Sequence, residues 1–235
     1  MSKVFGTVRK QSEGGEHWMS VSDLMAGLMM VFLFISVALM MDATQERDKI
    51  KEVAETYERT QEAIYEALYD EFKDDLTKWG AEINREDLSL NFTSPEVLFG
   101  RGSSALTGKF RRILNDFFPR YLGVLDQYKP DIQEIRVEGH TSSRWNNGTS
   151  PNEAYFNNMA LSQSRTRAVL HYVMDIEPIQ NEHARWVKSH VAAVGYSSSK
   201  LILDEKGNED PEKSRRVSFR VITNAELQIR KILEN

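Results

Sequence analysis

The chain has 235 residues, and its 30 Lys and Arg residues against 35 Asp and Glu residues give a formal net charge of -5. This acidic balance argues against nucleic-acid binding, because nucleic-acid-binding domains present a basic face. The chain contains no cysteine, which excludes disulfides, zinc–thiolate sites and thiol catalysis. Its length allows one or two modest domains in addition to a membrane segment.

The strongest pattern is an uncharged apolar run from Leu24 to Met41. In a helix this run spans about 27 Å, which is close to the hydrocarbon thickness of a bilayer. We therefore predict a short tail over 1–17 and a transmembrane helix over 18–41. No small-residue cleavage site follows the run, so we interpret it as a retained anchor. Basic residues flank both ends, and the positive-inside rule leaves the orientation open.

Asp23 directly precedes the apolar run, with Ser22 beside it. If the helix starts near Trp18, Asp23 lies about 7 Å inside it. An ionised carboxylate costs about 2.5–3.5 kcal/mol at the bilayer centre, so an acid in this position is a candidate proton carrier that faces protein. The alternative is that Asp23 lies at headgroup depth and caps the helix together with Ser20 and Ser22.

Residues 42–80 contain no Gly or Pro before Gly80 and are rich in helix-forming residues. Apolar or small residues recur at steps of three and four, as in a heptad seam, before the register shifts. The members of this seam are Ile50, Val53, Tyr57, Thr60, Ile64, Ala67, Leu68, Phe72 and Leu76. We predict a helical linker that pairs with a second copy of the chain. Since the seam is short and partly polar, a helix packed on its own domain is the alternative.

Residues 81–235 have the pattern of a compact domain. Short alternating runs predict strands over 88–92, 135–138, 190–194 and 217–221, and helical periodicity predicts helices over 110–125, 161–173 and 225–233. This order favours the α+β class, as a sandwich of helices on one face of a small, four-stranded mixed sheet.

The sequence lacks the usual signatures of an active site. The five histidines show no metal-ligand spacing, and there is no phosphate-binding glycine loop after a strand and no nucleophile elbow. We predict that the chain is not an enzyme and that it holds no metal and no cofactor. Arg165 is instead a candidate for binding a carboxylate, although a surface ion pair is the commoner role of a helical arginine.

Several short motifs in a fixed order resemble the OmpA-like peptidoglycan-binding domain over roughly 88–221. They are G-H-T at 139–141, N-x-x-L-S-x-x-R at 158–165, a glycine at 195 and R-R-V at 215–217. The resemblance implies that peptidoglycan contacts Thr141, Ser142, Asn157, Asn158, Leu161 and Arg165. Two positions depart from the family pattern. Ser142 replaces the usual Asp, which holds the amine of the peptide stem, and Asn157 replaces a frequent aromatic residue.

Residues 18–32 resemble the membrane segment of MotB-like stator B subunits, in which one aspartate carries protons. The resemblance implies that Asp23 has this role, with Ser22 as a hydrogen-bond neighbour and the proton as the transported ion. The implied partners are a second copy of the chain, a ring of about five MotA-like (ZorA) A subunits in the membrane, and peptidoglycan. The implied location is the bacterial inner membrane, with a cytoplasmic amino terminus and a periplasmic domain.

Among stator B subunits, the chain most resembles the ZorB subunits of Zorya anti-phage defence systems. The grounds are the Ser-Asp-Leu-Met signature at 22–25, the modest length, the G-H-T-S departure at 139–142 and the acidic helix after the membrane segment. A flagellar stator B subunit and a static peptidoglycan anchor are the alternatives.

Overall fold

The computed structural model describes the backbone of residues 14–93, 95–100 and 102–233. Contacts divide the chain into two compact units, Met1–Glu52 and Val53–Asn235. The first helix, α1 (Gly14–Trp79), has 66 residues and begins in one unit and ends in the other. Of the predicted tail, residues 1–13 lie outside the described residues, and residues 14–17 belong to α1.

The first unit consists, where it is described, of the amino-terminal part of α1. Every described side chain from Val21 to Ile50 is exposed. Among the described residues, α1 is the one helix long and apolar enough to cross a membrane, with a mean hydropathy of 2.5 over its most apolar 18 residues. Contact between such a large apolar surface and water is unfavourable. We therefore expect lipid or a partner protein to cover this part of α1.

The second unit is built on a five-stranded sheet in the order β1-β2-β5-β3-β4. The strands are β1 (Ala81–Asn84), β2 (Ser89–Thr93), β3 (Ile132–His140), β4 (Val191–Ser197) and β5 (Arg216–Thr223). β3 and β4 are parallel, and the other neighbouring pairs are antiparallel. The α+β class with a mixed sheet is thus confirmed.

The sheet has one more strand than the four predicted. The extra strand, β1, has four residues and directly follows Gly80, whose φ of +64° allows a sharp reversal after α1. A run this short gives little periodic signal, and its strand character comes from its antiparallel pairing with β2.

Besides a short 3-10 helix (Asp126–Tyr128) and a π-helical turn (Ile179–His183), the described part of this unit has six further α-helices. They are α2 (Pro95–Leu98), α3 (Gly108–Leu125), α4 (Pro151–Met174), α5 (Ala184–His190), α6 (Pro211–Ser214) and α7 (Asn224–Leu233). α4 begins ten residues before the predicted start at Leu161. Ser150 caps it by accepting a hydrogen bond from the Glu153 N–H, and Pro151 occupies its first turn. The Ser-Pro-x-Glu pattern at 150–153 is a helix-start signal that hydrophobic periodicity did not detect.

The predicted coiled-coil seam divides into two parts. Ile64, Leu68 and Phe72 are fully buried in the core of their own unit, and the Phe72 ring lies 5.3 Å from the ring of Phe117 on α3. For these residues the prediction of pairing with a second copy is wrong, because the core leaves no surface for a partner. These three residues instead follow the alternative, in which the helix packs on its own domain. The earlier seam residues Val53, Tyr57 and Thr60 are half-buried. Their pairing with a second copy stays a prediction.

Candidate functional site

Asp23 lies well inside α1. The helix starts at Gly14, so Asp23 follows nine residues later, or about 13 Å along the axis. The alternative in which Ser20, Ser22 and Asp23 cap the amino terminus of the helix is therefore wrong. The Ser22 and Asp23 side chains are both exposed on the helix surface.

A cleft of about 390 Å³ lies at one end of the sheet in the second unit. Five of the six predicted peptidoglycan-binding residues line it: Thr141, Ser142, Asn158, Leu161 and Arg165. Thr141 and Ser142 follow the end of β3, and the other three lie on one side of α4. The remaining described wall is formed by Phe99, Gly100 and Gly102, by Arg144, Trp145 and Asn146 after β3, and by Arg215 just before β5. The sixth predicted residue, Asn157, is half-buried on α4 and does not line the cleft.

Arg165 is the central cation of the cleft. Its Nε donates to the Ser103 carbonyl over 3.0 Å, and its guanidinium lies 4.8 Å from the centroid of the Phe99 ring. Burial, with a smaller contribution from the charge of Arg215, lowers the pKa of Arg165 to about 10. The side chain is therefore still charged at neutral pH. Among the described residues, no carboxylate forms an ion pair with it, so the alternative of a surface ion pair does not describe Arg165.

Arg215, which belongs to the R-R-V motif at 215–217, is a second cation of the cleft. It pairs with the exposed carboxylate of Glu212, one turn earlier, while its Nε is buried and has no hydrogen-bond partner among the described residues. The buried hydroxyl of Thr141 also lacks a partner there. Buried polar groups are normally satisfied, so these two unpaired atoms are exceptions beside the cleft. The signal that could have identified Arg215 is its position directly before a strand that pairs with β3.

The loop after β3 is held in place from both sides. On the cleft side, the Asn158 amide donates to the carbonyls of Ser142 and Arg144, over 3.1 and 3.2 Å. On the other side, the Glu209 carboxylate accepts hydrogen bonds from the Ser143 N–H, over 2.9 Å, and from the Ser143 hydroxyl. Asn158 is thus a residue that positions the loop, and it is itself buried, with 3% of the residue exposed.

Tight packing of α4 against the sheet fixes the residues of the cleft. A Cβ atom on Gly195 would lie 2.5 Å from the Gln163 backbone nitrogen, and one on Gly139 would lie 2.8 Å from the Ser162 carbonyl oxygen. The Ser162 hydroxyl accepts a hydrogen bond from the Ser197 N–H over 3.2 Å. Because both glycines lack a side chain, α4 can approach β3 and β4 at backbone distance, and Leu161 and Arg165 reach the cleft.

The electrostatics of the cleft are those of an anion site. Arg144, Arg165 and Arg215 line it, and no Asp or Glu is among the described residues that do so. Guanidinium groups bind carboxylates through paired hydrogen bonds, and a partly desolvated site strengthens them. Ser142, which replaces the family's usual Asp, leaves the cleft without a carboxylate for an amine. The cleft is therefore suited to the carboxylate of a peptide.

A buried titratable pair lies next to the cleft, on the opposite face of β3. The His140 imidazole Nε2 is 3.3 Å from a carboxylate oxygen of Glu138, and its ring stacks on Tyr196 with centroids 5.2 Å apart. Burial lowers the pKa of His140, the Glu138 carboxylate opposes this shift, and the positive charge of Arg216 adds to it. The pair lies directly before Thr141 in the chain, where β3 ends and the cleft loop begins.

Comparisons with known proteins place the chain in a family. No protein-family model matches it. The chain is 59% identical to the Zorya protein ZorB of Escherichia coli over 235 residues, which is the full length of both proteins. It is also 28% identical over 163 residues to the uncharacterised protein YtxE of Bacillus subtilis, covering 69% of this chain and 60% of that one.

Among solved structures, the chain is similar to a MotB-like protein from Desulfovibrio vulgaris. The TM-score is 0.49 at 22% identity, and the match covers 73% of this chain and 94% of that protein. The full-length identity with ZorB is far above the level at which two chains share a family. The chain therefore belongs to the ZorB family of Zorya proteins.

Proposed function

We propose that this protein is the B subunit of a proton-driven membrane rotary motor in Zorya-type anti-phage defence. It would cross the inner membrane once, with a cytoplasmic amino terminus, and bind peptidoglycan through a periplasmic domain. The observation that carries the proposal is the 59% identity with ZorB over both full chains. A shared full-length sequence supports a shared membrane segment as well as a shared domain, and it favours the defence system over a flagellar stator.

Asp23 is the proposed proton carrier. It is the one acid between Trp18 and Met41, and it lies about two and a half turns inside α1. A carboxylate beside the apolar run is costly in lipid unless a partner protein surrounds it and a proton can neutralise it. We infer that a ring of ZorA-type A subunits encloses a dimer of this chain and that Ser22 is a hydrogen-bond neighbour of Asp23. Loading and release of protons at Asp23 would then drive rotation of the ring.

The replacement Asp23→Asn tests this role, since it keeps the shape of the side chain and removes the proton site. We expect proton flux and phage protection to fall below about a tenth of the parent level at equal membrane abundance. Asp42→Asn is the matched control, because Asp42 is the exposed acid at the other end of the apolar run. The carrier role is refuted if Asp23→Asn conducts protons and protects cells as the parent does.

The cleft is the proposed peptidoglycan site. Arg165 and Arg215 would hold a stem carboxylate, with the Thr141 hydroxyl as an additional hydrogen-bond donor. We expect Arg165→Gln to reduce co-sedimentation of the full chain with purified sacculi by tenfold or more, because loss of one member of a buried charged hydrogen bond costs about 2 kcal/mol. Arg112→Gln, which removes an exposed arginine outside the cleft, should leave sedimentation unchanged.

Two rival functions predict different results. A static wall anchor would need Arg165 and would be indifferent to Asp23→Asn. A wall-modifying hydrolase would release soluble fragments from purified peptidoglycan, and we propose that this chain releases none. Co-purification with the adjacent membrane protein, followed by an ion-flux measurement on parent and Asp23→Asn proteins, distinguishes the motor from both rivals.

A further inference from the structure

A second groove, of about 460 Å³, lies between α3 and α4 in the second unit. Small residues form part of its wall, among them Ser104 and Ala105 on the loop before α3 and Ser164 and Ala168 on α4. Small side chains leave the groove open and allow a ligand to approach the backbone. The larger polar side chains around it are Arg111, Arg167, His171 and Tyr172.

The guanidinium of Arg111 is held in place without an acid. It lies 5.8 Å from the centroid of the Tyr172 ring, and the Tyr172 hydroxyl donates to the Asn115 side-chain oxygen over 3.0 Å. An arginine stacked on an aromatic face keeps its N–H groups free at the edge of the guanidinium plane. Arg111 is therefore ordered by the ring and still able to bind an anion.

The groove carries positive charge that its surroundings do not neutralise. Within the described residues, neither Arg111 nor Arg167 has a carboxylate at ion-pair distance, and no acid lines the groove. His171 differs, because its Nδ1 lies 3.4 Å from a carboxylate oxygen of Asp175. The chain as a whole has a formal net charge of -5. The groove, with two arginines that have no acidic partner, is therefore locally positive.

The groove and the peptidoglycan cleft are neighbours. The loop between α2 and α3 separates them, with Gly100 and Gly102 lining the cleft and Ser104 and Ala105 lining the groove. The same helix, α4, forms a wall of both: Arg165 lines the cleft and Ala168 lines the groove. Three helical residues correspond to a rise of about 4.5 Å, so a polymer that lies across this loop and along α4 would reach both.

We propose that this groove is a second anion site, which binds another carboxylate of the same peptidoglycan polymer through Arg111 and Arg167. The inference rests on the proposed function of the cleft. Peptidoglycan repeats its stem carboxylates along the strand, so charge complementarity and the shared wall of α4 both favour it as the occupant. Intact sacculi would occupy cleft and groove together, whereas a monomeric muropeptide would occupy the cleft alone.

The test compares polymer and monomer on the full-length protein in detergent. The test variant is Arg111→Gln with Arg167→Gln. The matched control is Arg112→Gln with Arg185→Gln, which removes two exposed arginines outside both sites. Binding to intact sacculi is measured by co-sedimentation and binding to a soluble monomeric muropeptide by calorimetry. We expect the test variant to bind sacculi about threefold to tenfold more weakly, as two exposed charge contacts allow, and to bind the monomer like the parent.

Several outcomes would overturn the inference. The groove is not a second site if the test variant binds sacculi like the parent while Arg165→Gln does not. It is not specific if the control variant loses as much sacculus binding, and it is part of a single site if the test variant loses monomer binding to the same degree. Failure of the proposed function itself has a different signature, since Arg165→Gln would then bind both sacculi and monomer like the parent.

Discussion

Gly195→Ala should destabilise the second unit more than any exposed alanine replacement. A Cβ at this position would lie 2.5 Å from the Gln163 backbone nitrogen, 2.6 Å from the Gln163 Cγ and 2.7 Å from the Ser162 Oγ. The Gln163 side chain can rotate away, but a backbone nitrogen inside α4 cannot. Since carbon contacts are optimal at about 3.5–4.0 Å, α4 would have to move by about 1 Å.

The expected cost is about 3 kcal/mol of unfolding free energy, at the upper end for an overpacked core. With a urea dependence of about 2 kcal/mol per molar, the unfolding midpoint should fall by about 1.5 M. The assay is urea unfolding of the full chain in detergent, followed by tryptophan fluorescence. Because α4 carries Asn158, Leu161 and Arg165, we also expect weaker binding to sacculi at urea-free conditions, where the variant is still folded.

Gly123→Ala is the matched control. Gly123 is an exposed residue of α3, and a Cβ there would meet nothing within 4 Å. This change should stabilise the protein by about 0.5–1 kcal/mol, because alanine loses less backbone entropy than glycine on forming a helix. The reasoning is refuted if Gly195→Ala unfolds at the parent midpoint or if the two replacements shift the midpoint in the same direction.

Two further predictions concern the surroundings of the cleft. Asn158→Ala removes the donor to the Ser142 and Arg144 carbonyls, and it should cost about 2 kcal/mol in urea unfolding and weaken sacculus binding; unchanged values for both would contradict the positioning role. The folded-state pKa of His140 is lowered, so the folded state favours the neutral imidazole. The contribution of His140 to the free energy of unfolding should therefore be fully present above the unfolded pKa of about 6.5 and decrease as the pH drops towards the folded pKa. His140→Gln, which can still donate to Glu138, should lose less stability than the parent between pH 7 and 5, and equal losses would contradict this.

The membrane helix could be predicted from sequence because its signal is local. An uncharged run with the length of a bilayer core needs no tertiary contact to be identified, and the acid beside it is visible as an exception within the same window. The position of Asp23 relative to the helix start is not contained in that signal. Helix ends depend on weak local preferences, and α1 begins earlier than the apolar pattern indicates.

The division of the seam was decided by tertiary structure. Ile64, Leu68 and Phe72 have the same spacing whether they face a second copy or their own domain, because both partners bury an apolar stripe of a helix. Only the fold brings the Phe117 ring against Phe72. In the same way, β1 became a strand through its pairing with β2 rather than through its own pattern.

The sequence by itself determined the apolar helix with its acid, the α+β class and the motif residues that share the cleft. These features repeat at the local period of a helix or strand, or match residue by residue to a family, so they can be read along the chain. Tertiary structure decided that Arg215 lines the cleft together with Arg165 and that Asn157 does not line it. It also decided that Asn158 holds the loop after β3. Arg111 and Arg167 line one groove for the same reason. Side chains far apart in sequence meet only when the sheet and α4 pack together, and no local pattern encodes that distance.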